Sequence, residues 1–415
     1  MGHSCCGNHN HHKDTGEECR GQSAKASRSS IGALWITVLV VAIGAGAATM
    51  YALDQPTAAP AASAKPAGAA PPATPPAAEP MKGVVRHGRV DPIAKPTTGA
   101  PVRIATYNIE NFFDNALPAG GSGGGTAVKP AAHRRAAAEA IHKINADIIA
   151  LQEIESKEVL TRFRDEYLKD MGYAYVCSLD AGDGRGIEQS LLSRFPISDE
   201  KNWPGVALDA VHPNNLGNKK NPEAGKPIVL HRSPLRATVS VPAREGAKAV
   251  DITFFVVHHK SGPYYGYERE AEAAKVLSLV REFEKDHPGR PVLVLGDFNA
   301  RMTESPVEIY TGGGLVSAMT GVPGGVESTE FTSHVSGRTI DHILVNAPGA
   351  AMVALDSRFV LGTLQRPEGV DWRKTQPPAG YCSDHYPVVV DLIVADSAGA
   401  PTHGLTPAVR PPTAP

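Results

Sequence analysis

Six short aliphatic runs in this 415-residue chain each carry a carboxylate, an amide or an imidazole at one end, and this restricts the fold more than any other feature. The run VLVL at 292–295 leads into GDFNA, where extended backbone sends Asp297 and Asn299 to one side and Phe298 to the other. One face is then polar while the opposite face can anchor in a core. Gly, Asp and Asn also end strands in ordinary turns, so these residues taken alone fit either a site or a turn. The pattern returns along the chain: Asn108 closes VRIATYN, Glu153 closes DIIALQE, His258 ends DITFFVVH, Asp341 opens DHILV, and Asp384 with His385 precedes YPVVV. A buried acid is costly unless it is paired or holds a metal, so clustering of these groups demands a cation or a positively charged partner. A set rich in oxygen, with no Cys and few His, suits a hard cation such as Mg²⁺ or Mn²⁺ better than zinc.

The apolar runs alternate with helical patterns. Strands are expected over 102–108 and 147–153 and in SLLSRFPI, PLRATVSV, DITFFVVHH, PVLVLGD, TIDHILVN and HYPVVVDLIV. Helical spacing marks 131–146 and the stretch from Tyr267 to Asp286. The expected class is α/β: two mixed β-sheets packed face to face, with helices outside, since runs this apolar need both faces covered. GGSGGG at 120–125 and the polar stretch 209–227 read as surface loops, and no internal repeat is present.

Outside this region the composition changes. Residues 31–53 carry no charge and are long enough to cross a bilayer as one transmembrane helix. Lys13, Arg20, Lys25 and Arg28 precede them, a bias that keeps residues 1–30 in the cytoplasm and exports the rest. A cleaved signal peptide ending near AGAA is the competing reading, although its basic region would be long. Residues 54–100 are a Pro/Ala-rich tether and 397–415 a tail of the same character, which leaves 101–396 as one globular domain. Cys5, Cys6 and Cys19 lie among His3, His9, His11 and His12, either a metal-binding tract or an incidental tail without paired Cys-x-x-Cys spacing. Cys177 and Cys382 can be bridged only if the fold brings them together.

The segments TYNIENF, IIALQEIE, RGIEQSLLSRFPI, VVHHKSG, VLVLGDFN, TIDHILV and SDHYPVV, in this order, resemble the motif series of the endonuclease/exonuclease/phosphatase superfamily, the deoxyribonuclease I-like fold. The resemblance spans essentially 101–396. It implies a sandwich of two sheets flanked by helices, an active site at one edge, and metal-dependent cleavage of phosphate esters. It further implies that Glu153 is the principal metal ligand, with Asn108 beside it and Asp384 in the metal and phosphate shell. Asp297 would orient or deprotonate the attacking water, and Asn299 would donate to the phosphate. His385 would meet the scissile phosphate with its tautomer set by Asp341. His258 would be a second catalytic histidine, and Glu188 the acid paired with it. Each residue has a plainer use when taken singly: Asn108 can cap a turn, Glu153 can open a helix, and Asp341, His342 and His385 can be ordinary polar residues. The doubled His259 has no evident use, and Lys260 and Arg194 are cations without assigned chemistry.

Over 101–396 there are 31 Lys and Arg against 37 Asp and Glu, a net of −6. That balance lacks the basic footprint of a tight duplex binder, although Arg185, Arg232, Arg236 and the pair Lys219 and Lys220 can make local contacts. The expected function is a monomeric, membrane-tethered, extracytoplasmic nuclease using Mg²⁺ or Mn²⁺, with Ca²⁺ as a further candidate, and acting on DNA or RNA. A phosphatase or phospholipase of the same fold is the alternative, and a non-catalytic binding module a third.

Overall fold

The computed structural model describes residues 81–114, 127–242, 249–322, 325–326, 328–371, 374–394 and 405. The stretch 31–53, the linker up to residue 80 and the glycine run 120–125 lie outside the described residues. Among the described residues no helix is long and apolar enough to cross a membrane.

Twelve strands form two sheets of six. In chain order they are β1 (Pro101–Phe112), β2 (Ile148–Ile154), β3 (Tyr175–Ser178), β4 (Glu188–Ser193), β5 (Ile197–Lys201) and β6 (Leu235–Val241). Then follow β7 (Val250–His258), β8 (Val292–Asp297), β9 (Val316–Ser317), β10 (Asp341–Val345), β11 (Phe359–Val360) and β12 (Val388–Ile393). The first sheet runs β11-β12-β1-β2-β4-β3 and the second β9-β10-β8-β7-β6-β5. Only β1 with β2 and β7 with β8 pair in parallel within these sheets. A parallel neighbour needs a crossover long enough to return the chain, and helices α1 (Ala131–Ile144) and α3 (Gly266–Asp286) supply it in the two sheets. Helix α2 (Lys157–Tyr167) joins α1 on the outside of the first sheet, and α4 (Ser305–Gly312) joins α3 outside the second.

Alternation along the strands makes the layers. Ile104, Ile148, Phe254, Val256, Leu293, Leu295, Ile343 and Val390 share the core between the sheets. Their neighbours Ala105, Ile149 and Leu151 pack on Ile141 and Ile144 of α1, while Phe255, Val257 and Val294 pack on Val276, Val280 and Phe283 of α3. The result is the expected four-layer arrangement of helix, sheet, sheet and helix. A buried fork ties β1 to β12 inside it: Arg103 Nε and Nη2 donate to Asp391 at 2.7 and 2.9 Å.

Two sequence expectations are revised, and the open question of a Cys177–Cys382 bridge is answered. Residues 82–100, read as linker, are laid on the domain: Val84–Val85 pairs with Leu364–Gln365, and Lys95 reaches Asp147 at 2.6 Å. The stretch 209–227 is not a bare loop, because Ala207–Val211 pairs with Pro227–Val229 around a small hairpin of Asn215–Leu216 and Lys219–Lys220. Cys177 and Cys382 are free and buried on opposite faces of the first sheet, one in the inter-sheet core and one on the α1 side, so the sheet itself separates them.

Candidate active site

Strand period places the polar groups. On β7, β8 and β10 the residues of the inter-sheet face are even, odd and odd respectively, so His258 and Asp297 continue that face after the apolar residues of their strands and Asp341 ahead of them. Register then aligns them, since His258 pairs with Asp297 and Asp297 with Asp341 across three adjacent strands. Asn108 continues the Ile104 face of β1 from the opposite sheet and donates to Asp297 Oδ2 at 3.2 Å. The two sheets therefore meet at this edge through their polar ends. The same parity explains the doubled histidine: His259 turns outward, bonds Tyr310 Oη at 2.9 Å and lies 3.3 Å from Glu272, which is structural work. His342 likewise turns outward to the Ala300 carbonyl.

Two backbone features complete the edge. Glu153 sits at a β-bulge with φ of 65°, which interrupts the register of β2 and turns its carboxylate out of the strict alternation. Its Oε2 accepts the Asn111 amide at 2.7 Å. Gly296, with φ of 140°, brings β8 so close to β7 that a Cβ there would lie 1.9 Å from the Val257 carbonyl oxygen. Only glycine permits that approach.

Asp297 is the hub. Its Oδ1 accepts the backbone amide of Asn299 at 2.8 Å, and its Oδ2 accepts the side-chain amides of Asn299 and Asn108 at 3.0 and 3.2 Å. Burial nonetheless pushes its pKa up to about 6, with the Asp341 charge adding to the effect and His385 opposing it. His385 Nδ1 bonds Asp341 Oδ2 at 2.9 Å, and its Nε2 lies 3.8 Å from Asp297 Oδ2. Burial disfavours a charge on this ring, but Asp341, Asp297 and Asp384 outweigh it and hold the pKa well above the ordinary value. His385 is thus a cation at neutral pH. Asp384 is about one-third exposed, with its side chain at 38%, and lies between His385 Nε2 at 3.9 Å and His334 Nε2 at 3.4 Å. Partial burial favours its neutral form, yet the two imidazoles keep it below the usual carboxylate range.

His258 behaves differently. Burial, reinforced by Arg232 and Arg185, pushes its pKa well below the ordinary value, so the ring is neutral. Its Nε2 accepts from Arg232 Nη1 at 2.7 Å and stands 3.8 Å from Glu153 and 3.5 Å from Asp297. The sequence-expected pair of His258 with Glu188 is not formed. Glu188 has the parity of Ser190 and Leu192 on β4, the side facing α1 and α2, where it accepts from Ser178 Oγ. Asn299 also departs from expectation: its amide hydrogens go to Asp297 and to the His259 carbonyl, so it positions the carboxylate.

Glu153, Asp297 and Asp384 lie at the same edge, linked through the two histidines His258 and His385. Of the sequence-expected cations, Arg185 lies 3.4 Å from Glu153, and Arg232 reaches His258. Asp183 orients both, accepting from Arg232 Nε at 2.8 Å and lying 3.5 Å from Arg185 Nε. Arg236 instead pairs with Asp199, and Arg194 braces Asp147 at 2.6 Å, both away from the site. Lys260 stands over the Tyr265 ring with Glu268 3.9 Å away. Sequence reasoning missed Asp183, Glu110, Lys129, Tyr381 and His334. Glu110 stands in TYNIENF two residues after Asn108, and left-handed backbone at Glu110 and Asn111 folds it back so that its amide donates to Asn108 Oδ1. Lys129 Nζ donates to the Glu110 carbonyl and Tyr381 Oη to its carboxylate. No local pattern marks these partners, which come from distant segments.

The donor set fits a hard cation. Glu153, Asn108 and Asp384 offer oxygens only, and Mg²⁺, which keeps several waters, does not need all three in its inner shell. The acid and imidazole groupings His334–Asp384–His385 and Asp297–Asp341–His385 both rely on a protonated His385 and are better described as ion pairs. One Asp341 oxygen is buried without a hydrogen-bond partner, so negative charge at this edge is only partly compensated by the chain.

The model of the Endonuclease/Exonuclease/phosphatase family matches residues 105–385. No curated protein is matched. Similar solved structures include the human Nocturnin catalytic domain with bound sulfate, at 19% identity over 70% of this chain and 93% of that one, with a TM-score of 0.47. Truncated Caenorhabditis elegans TDP2 follows at 15% identity over 71% and 98%, TM-score 0.45. The mannosyl-6-phosphatase Bt3783 of Bacteroides thetaiotaomicron VPI-5482 has 15% identity over 70% and 99%, TM-score 0.44.

Proposed function

Because the chain belongs to the Endonuclease/Exonuclease/phosphatase family, whose members hydrolyse phosphate esters, we propose that its site cleaves phosphodiesters of DNA or RNA with the help of Mg²⁺ or Mn²⁺. The observation that carries this reading is geometric: His385, clamped by Asp341 at 2.9 Å, stands 3.8 Å from the Asp297 carboxylate, whose pKa burial pushes up to about 6. Such a pair combines a base for water with a cation for the phosphate.

The residues divide the work. Asp297, held by Asn108 and Asn299, accepts the proton of the attacking water, and its pKa near 6 makes it an effective base at neutral pH. His385 presents its Nε2–H to the non-bridging oxygens, where charge builds up in the transition state. Asp341 keeps that ring in the tautomer and orientation required. Arg232 and Arg185, steered by Asp183, offer further N–H groups for the phosphate oxygens, while neutral His258 braces Arg232. Glu153, Asn108 and Asp384 would hold a divalent cation, which when bound supplies Lewis acidity to the phosphoryl group. We assign Glu188 no part in catalysis.

The uncharged 31–53 stretch and the basic residues before it support an extracytoplasmic domain tethered to a membrane. N-terminal sequencing of the mature protein tests the tether, since a chain beginning near Thr49 would show cleavage. That location keeps phospholipid headgroups as a second substrate class. The chain is to be incubated with plasmid DNA, RNA and phospholipid vesicles, with and without Mg²⁺, beside His385→Ala. Metal-dependent nicking that disappears in the variant supports the nuclease reading, whereas lipid turnover alone would replace it with a phospholipase.

A further inference from the structure

The insert between β5 and β6 ends in Arg232, which bonds His258, so one end of the insert is anchored at the candidate site. Leu208, Ile228 and Leu230 of the insert form a small core with Tyr267 and Ala271 of α3, which fixes its base. His212 Nδ1 bonds Tyr267 Oη at 2.9 Å, a second tie. At the outer end, the hairpin of Asn215–Leu216 and Lys219–Lys220 turns through Gly217, whose φ is +60°. A Cβ on Gly217 would lie 2.8 Å from the Tyr264 ring, so the ring rests on the bare backbone of the turn. Tyr264 lies six residues after His258, in a loop whose carbonyls at Lys260 and Gly262 accept from Arg269. The hairpin tip and the loop after β7 therefore meet in one surface.

The chemistry of that surface is specific. Tyr264 is 58% exposed, an unusual state for an aromatic ring this firmly placed. Lys219 and Lys220 are exposed and, among the described residues, neither forms an ion pair, while the nearby Lys226 is neutralised by Glu223. Asn214, Asn215 and Asn218 are exposed beside them. Resting on the phosphodiesterase reading above, we infer that this hairpin and Tyr264 form a docking arm for single-stranded polynucleotide, with a base on the ring and phosphates on the lysines. A duplex is disfavoured because its bases are already stacked and offer no free face to the ring. A lipid surface is disfavoured because the tip exposes amides and lysines rather than a continuous apolar patch. Ring stacking is tolerant of sequence, so the arm selects strandedness and not base identity.

The test uses the full-length chain, Lys219→Glu/Lys220→Glu, Tyr264→Ala and Tyr264→Phe. Substrates are a single-stranded deoxyoligonucleotide, its RNA counterpart, the duplex, phosphatidylglycerol vesicles and bis(p-nitrophenyl) phosphate, a diester too small to span the arm. Both the lysine and alanine variants are expected to raise KM for single strands about 10-fold with kcat and small-diester hydrolysis unchanged. Tyr264→Phe restores the wild-type KM. The salt slope of binding falls by about 1.4 in the double lysine variant, about 0.7 for each lost phosphate contact. Equal losses on the small diester and the strand, or an unmoved single-strand KM, overturn the arm. Impairment confined to vesicles assigns the surface to lipid instead. Strand binding is also read by fluorescence anisotropy without turnover, so a chain that hydrolyses nothing sinks the phosphodiesterase reading while the arm is judged separately.

Discussion

Asp297 and His385 are two residues whose charges are set by opposite balances. Burial dominates at Asp297 and leaves its pKa at about 6, whereas three carboxylates dominate at His385 and keep it charged. A base must be deprotonated to act, so kcat/KM should rise with pH through an acid limb near 6 and hold until His385 loses its proton at higher pH. Asn299→Ala removes a hydrogen bond to the carboxylate form, raises the Asp297 pKa and moves that limb to higher pH. Asp341→Asn takes away the principal charge that keeps His385 protonated, so activity should fall about 100-fold and an alkaline limb should move toward neutrality. An unaltered pH profile in both variants would remove these residues from the chemistry. For His258 the Arg232 charge adds to burial: Arg232→Ala should raise the His258 pKa, visible in histidine ring NMR shifts on titration.

At the scale of elements, the site depends on how closely β7 and β8 approach. The parallel register that sets His258 beside Asp297 runs through Val257 and Gly296, where a side chain cannot be accommodated. Gly296→Ala should therefore destabilise the domain by about 3 kcal/mol or more, read as a lowered urea midpoint, and should cost activity even in the fraction that folds. A variant with wild-type stability would mean that the strands separate readily. The β2 bulge at Glu153 is the matching device in the first sheet. It brings one more acid to the edge, which strict alternation would have sent toward α1 and α2.

Across the whole molecule, the sandwich collects Glu153, Asp297, Asp341 and Asp384 at one rim, and Arg185 and His385 offset only part of their mutual repulsion. Mg²⁺ should raise the melting temperature. At about 100 times the dissociation constant the gain is about 2.7 kcal/mol, and Glu153→Ala should abolish most of it. A melting curve indifferent to Mg²⁺, Mn²⁺ and Ca²⁺ would argue that Arg185, Arg232 and His385 alone carry the phosphate. The −6 charge over 101–396 makes nonspecific capture of duplexes weak, which leaves local surfaces to choose the substrate.

The facing of the candidate site residues was legible in the sequence because strand period is local: Asn108, His258, Asp297 and Asp341 stand in two-residue steps from their own apolar runs, and no distant contact is needed to predict which way they face. The burial of Phe298, opposite Asp297, obeys the same rule. What only the tertiary structure decided was partnership. Glu188 shares a sequence motif with Arg185, yet β4 turns it to the helix side while Arg185 reaches Glu153. Arg232, 26 residues before His258, takes the place expected for an acid, and the Asn299 amide is spent on Asp297. Which groups meet depends on sheet register and on loops that fold back across the rim, and neither is encoded in the spacing of any one segment.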